Sequence, residues 1–174
     1  MAQLFPGCQF FGLAADVLAT PPIKVIFLRV DAFLRLRLAR PAPLRSNRAM
    51  NSDYAIEVQV TPRYLPEQSL PGQSRYVFSY AVRIANVGKK AAQLRTRHWV
   101  ITDANGKVEE VRGDGVVGEQ PTLAPGDSFE YTSGAIIATS VGAMRGSYQM
   151  QSVDGTKFEA EIKMFSLSIP RILH

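Results

Sequence analysis

The sequence predicts an all-β protein built as an antiparallel sandwich, and three observations carry that reading. From Met50 onward, apolar residues recur with a period of two. Turn-forming residues break these runs into short pieces. No stretch after Met50 shows the 3.6-residue period of an amphipathic helix. Seven or eight short strands in the 125 residues of 50–174 suit a single immunoglobulin-like sandwich, whose usual size is about 100 residues.

The first strand is read from Ile56, Val58 and Val60, which alternate with Glu57 and Gln59 until Thr61-Pro62 closes the run. A loop punctuated by Pro66 and Pro71-Gly72 follows. In the strongest strand, Tyr76, Phe78, Tyr80, Val82 and Ile84 share one face, and Asn86-Val87-Gly88-Lys89-Lys90 ends it as a turn. Residues 92–103 continue the alternation, with Leu94, Thr96, His98 and Val100 on one face and Arg95, Arg97, Trp99 and Ile101 on the other. Asn105-Gly106 predicts a type I′ hairpin, because both residues tolerate positive φ, and Val108 and Val111 lie in the return arm. Further strands are expected at 128–132, at 143–152 paired with 157–163 across Asp154-Gly155, and at Phe165 to Ile169.

Residues 1–49 are different in kind. They hold seven basic and two acidic side chains, the whole of the +5 net charge, while 50–174 carries 13 of each sign. The main body therefore lacks the basic footprint that nucleic-acid binding needs. The only cysteine, Cys8, also lies in this segment, which removes disulfides and thiolate chemistry from the body. Ile23 to Arg40 is apolar and basic, but Lys24, Arg29, Asp31, Arg35 and Arg37 interrupt it too often for a membrane span. It is read as a disordered or loosely attached extension, with a basic amphipathic helix as the alternative. No positive n-region and cleavage site mark a secretory signal.

Chemistry is sought first between Val111 and Gly134, where Gly113, Gly115 and Gly118 have G-x-G-x-x-G spacing. Such glycines leave backbone N–H groups open to an anion. A dinucleotide site also needs a helix after the last glycine, and Glu119-Gln120-Pro121 followed by Ala124-Pro125-Gly126 denies one. The plain alternative is a glycine-rich connection between strands. Arg95 and Arg97, with Arg112 beside the glycines, are candidate phosphate contacts, against a reading as an exposed charged face. Asp114 would suit a weak Mg²⁺ site only alongside a bound phosphate, so no metal ligand set is assigned. His98 is alone in the body and has no partner at metal or catalytic spacing, so an enzyme is not expected.

Several segments carry a family resemblance: V-T-P-R-Y-L-P-E-Q-S at 60–69, R-H-W-V-I-T-D at 97–103, the loop at 111–134, M-R-G-S-Y-Q-M at 144–150 and P-R-I-L-H at 170–174. Together they resemble the ApaG family of small bacterial proteins across 50–174, and the resemblance does not extend to 1–49. It implies a fibronectin type III or immunoglobulin-like sandwich, and an association with cobalt resistance and magnesium efflux under the older name CorD. Related domains in larger eukaryotic proteins act as interaction modules, which implies a binding role. The family's glycine loop has been proposed to bind nucleotide or pyrophosphate, and that proposal falls here on Gly113, Gly115 and Gly118.

Family members begin close to where Met50 lies, so Met50 is the expected natural start and 1–49 an upstream reading-frame extension. The resulting expectation is a non-enzymatic, cytoplasmic binding module that reaches divalent-cation tolerance indirectly, through a protein partner. The competing expectation is a nucleotide or pyrophosphate sensor that uses the 113–118 loop with Arg95, Arg97 or Arg112.

Overall fold

The structure is a computed structural model that describes residues 24–26 and 53–170. Cys8, Met50, His174 and the remainder of the basic stretch at 23–40 lie outside the described residues.

Nine strands appear among the described residues: β1 (Lys24–Ile26), β2 (Ile56–Tyr64), β3 (Tyr76–Asn86), β4 (Ala92–Asp103), β5 (Val108–Asp114), β6 (Thr122–Leu123), β7 (Ser128–Ile137), β8 (Val141–Ser152) and β9 (Lys157–Ser168). They form two antiparallel sheets, one ordered β1-β7-β3-β2 and the other β5-β4-β8-β9, with β6 also paired to β4. The sheets stack as a sandwich, and β2 lies along β9 to close one side. The alternation read in β3 holds, since Phe78, Tyr80, Val82 and Ile84 are all buried. Trp99 anchors the interior with its ring against Tyr80, Tyr148 and Phe165, at centroid separations of 5.5, 6.3 and 6.0 Å. Tyr131 of one sheet and Tyr148 of the other join hydroxyl to hydroxyl across the core.

Several local expectations change. Pro62 does not end β2, which runs on to Tyr64, because β2 is an edge strand where a missing N–H costs no ladder bond. The sequence reading puts Leu94 and His98 on one face of β4, but Leu94 is buried with Trp99, Ile101 and Asp103. The register against β8 shifts between Leu94 and Thr96. A bulge that adds Arg95 exchanges the faces on either side of it. The last two expected strands are one, β9, whose register shifts opposite Met144 and Gly146.

Asn105-Gly106 is not a type I′ turn. Gly106 has φ +79° but Asn105 is not at positive φ, and Gly106 N–H donates to the Asp103 carbonyl while Asp103 N–H donates to that of Lys107. That is a three-residue hairpin loop with glycine in the left-handed position. Gly155, with its N–H on the Ser152 carbonyl, repeats it. The segment expected as an extension enters the fold at β1, which pairs antiparallel with β7 in the register Lys24 to Ile136, Val25 to Ala135 and Ile26 to Gly134.

Candidate functional site

The bulge at Arg95 decides where the candidate arginines go. Arg97 takes the register of Trp99 and Ile101, so its chain lies toward the interior. Its Nη1 donates to the carbonyls of Asp114 and Gly115, each at 2.7 Å. Gly113 pairs with Arg97 across the β4–β5 ladder, and a Cβ there would stand 2.9 to 3.1 Å from three atoms of the guanidinium. Glycine at 113 therefore makes room for an arginine of the chain itself.

The other two glycines shape a tight return. Val117 and Gly118 both have positive φ, +46° and +82°, between Val116 and Glu119, which exchange N–H···O bonds at 2.8 and 2.9 Å. This is the type I′ geometry that the sequence reading assigns to Asn105-Gly106, found instead at Val-Gly. Gly115 has φ +55°, and a Cβ on it would come within 2.1 Å of the Glu119 carbonyl oxygen. The N–H of Gly115 donates to the Arg95 carbonyl at 2.9 Å. The amides of Gly115, Val116 and Glu119 are thus directed at the chain's own carbonyls.

Arg112 meets Thr96, His98 and Glu159 in a groove of about 490 Å³ on the outer face of the β5-β4-β8-β9 sheet, which Arg97 and Gly113 also border although the Arg97 guanidinium is turned away onto the carbonyls of Asp114 and Gly115. Arg95, Gly115 and Gly118 do not line it. Arg95 is exposed and donates to Gln93 Oε1 at 2.9 Å. His98 stands between Arg112 of β5 and Ser147 of β8 in the ladder. Its Nε2 lies 2.9 Å from Glu110 Oε2, and Arg112 Nη2 reaches the same oxygen at 3.1 Å. The hydrogen bonds from His98 and then Arg112 hold the Glu110 carboxyl below its ordinary range. Hydrogen bonds from Gln149 and Ser147, with the charge of His98 nearby, do the same for Glu159.

The surface that results presents both signs of charge in an ordered row. Sequence reasoning leaves Glu110, Ser147, Gln149 and Glu159 out of the site, since they are joined to His98 only by strand register. Asp114 borders the groove. Among the described residues, no group of three or more His, Cys, Asp or Glu is placed to hold a metal ion. Among them, too, no helix is long and apolar enough to cross a membrane.

Comparison with known proteins places the chain. Residues 66–152 match the family described as the ApaG domain. Protein ApaG of Thiobacillus denitrificans is 59% identical over 126 residues, which is 72% of this chain and 99% of that protein. Protein ApaG of Pseudomonas aeruginosa is 54% identical over 124 residues, 71% of this chain and 98% of its own. A crystal structure of a Bordetella pertussis protein described as ApaA superposes with a TM-score of 0.68 at 54% identity, covering 70% of this chain and 98% of that one. By sequence and by fold, this chain belongs to the ApaG family.

Proposed function

We propose that the chain is a non-enzymatic binding module whose ligand is another protein, engaged through the outer face of the β5-β4-β8-β9 sheet. The observation that carries this reading is the row of Arg112, Glu110, His98 and Glu159 on that face, with Ser147 and Gln149 interleaved. Fixed charges of both signs give register and specificity to a protein partner with the complementary pattern. A polyanion would meet the two carboxylates. In this reading the module works in the cytoplasm, and its association with cobalt resistance and magnesium efflux is indirect, exerted through the partner.

The test is a charge reversal. The full chain and its Arg112→Glu variant are used as bait in cell extract, and captured proteins are quantified. A partner held by the wild type and lost at least about tenfold in the variant supports the reading, since a rim charge governs encounter more than fold. Equal recovery on both baits overturns it.

A second reading, a nucleotide or pyrophosphate sensor, is favoured by Arg112 lining the groove beside Gly113. It calls for amide NMR shifts confined to 112–119 and 95–98 on titration with ATP, with and without Mg²⁺ or Co²⁺. Absence of shifts at millimolar ATP ends it.

A further inference from the structure

The edges of the two sheets are not guarded alike. Exposed edges in stable proteins carry charges or prolines that discourage strand addition. β2 has Glu57, Pro62 and Arg63, β5 has Glu109, Glu110, Arg112 and Asp114, and β9 has Lys157, Glu159, Glu161 and Lys163. From Thr132 to Ala138 the chain reads T-S-G-A-I-I-A, with no charge and no proline. The residues Gly134 to Ile136 of this stretch are where β1 attaches. Ala135 and Ile137 point into the core and are fully buried, so the strand is held rigidly in position by its own sheet.

β1 is also foreign to the family's common body. The relatives match about 126 residues, and a match of that length that takes in all of 66–152 begins after Ile26. The Bordetella pertussis structure, spanned almost wholly by 70% of this chain, has the same fold, so the body folds without β1.

We propose that the outer edge of β7 at Gly134–Ile136 is a strand-accepting site for an extended segment of a partner protein, and that Lys24–Ile26 occupies it in cis as a built-in competitor. Main-chain hydrogen bonds would supply the affinity and alternate side chains the selectivity, as in other cases of strand addition to a sheet edge. The residue opposite Ala135 shares its core-facing side, so the incoming segment needs an uncharged apolar residue there and tolerates others on either side. Twenty-nine residues separate β1 from β2. A covalent tether of that order gives the cis strand an effective concentration near ~1 mM, so only a partner that binds well or is abundant displaces it. The inference rests on the protein-binding reading only in assigning the natural occupant to another protein.

The experiment follows a fluorescein-labelled peptide of residues 20–30 by anisotropy against three proteins: residues 50–174, the full chain, and the full chain carrying Lys24→Pro and Val25→Pro. Two adjacent prolines remove ladder donors of either parity from β1 without touching the body. Saturable binding to the first and third, at least about tenfold weaker binding to the intact chain, and loss of binding by a Val25→Glu peptide are expected. No binding to the first and third, or equal binding to all three, overturns the site. With the edge established in this way, saturating peptide is added to residues 50–174 in the partner-capture experiment. Loss of the captured protein supports the assignment to a partner strand. Retention of an Arg112-dependent partner overturns that assignment and leaves the binding module standing. Capture of nothing on either bait overturns the module and leaves the edge as a site filled in cis.

Discussion

Between Gly115 and Glu119 the backbone donors of three residues turn back onto carbonyls of the chain, while along Gly134 to Ile136 one side of the backbone is met, among the described residues, by three residues from far away in sequence. The first region carries a recognisable motif and is closed. The second carries none and, among the described residues, is covered by β1. Glycine spacing reports where the backbone bends or is crowded, and whether its polar groups remain for a ligand depends on what the neighbouring strands demand.

The largest expected effect that separates the two regions is at Gly115. Gly115→Ala combines a positive φ with a Cβ driven into the Glu119 carbonyl, a backbone atom that cannot swing aside. It should cost about 3 kcal/mol or more in urea unfolding, and a cost below ~1 kcal/mol would show a loop with slack to reach an anion. Arg97→Ala should come next, at about 2 kcal/mol, from the loss of two charge-assisted bonds to Asp114 and Gly115. In the same variant, amide exchange at Gly115 and Val116 should quicken while that of β7 stays unchanged. Gly118→Ala should cost only about 1 kcal/mol, because its φ of +82° is unfavourable for alanine but no atom lies within 4 Å of the added Cβ.

The smallest effect belongs to a site outside both regions. Lys90 Nζ lies 2.7 Å from Asp154 Oδ2, and the Tyr54 hydroxyl donates to the same oxygen at 2.6 Å. Lys90 first and then Tyr54 hold the Asp154 carboxyl well below its ordinary value of 3.8. A depressed carboxylate contributes stability that is complete above its unfolded value and is lost as the pH falls toward its folded one. The stability gap between the wild type and Asp154→Asn, measured by urea unfolding, should therefore hold from neutral pH down to about 5 and then narrow progressively as the pH falls below 3.8. Because the pair is solvent-screened, the gap should be modest, and it should leave amide exchange in the glycine loop and in β7 unaltered.

Legibility in the sequence followed the range of the interaction. The alternation of β3 was plain, because the pleat imposes it residue by residue. The faces of β4 were not, because a single extra residue at Arg95 reverses the pattern and nothing in L-R-T-R-H-W announces it. Asn105-Gly106 marked a hairpin correctly in place and wrongly in type, while the I′ turn fell at Val117-Gly118, where a β-branched residue gives no hint of positive φ. Of the six candidate phosphate contacts, Arg97, Arg112 and Gly113 border one groove through cross-strand register, and the guanidinium of Arg97 is bound to the chain's own carbonyls. Glu110 and Glu159 were beyond reach for the same reason, being set beside His98 by the register of the β4–β5 hairpin and of the distant β8 and β9.

The hydroxyl link between Tyr131 and Tyr148 gives the sandwich a built-in optical gauge. Burial pushes the phenols of both, and of Tyr80, above the ordinary value of 10. A raised phenol contributes stability that is complete below its unfolded value and drains away as the pH climbs through its folded one. In an alkaline absorbance titration these three of the six tyrosines should stay dark until the two sheets part, then ionise together. The step in phenolate absorbance would time the separation of the layers without any added dye or label.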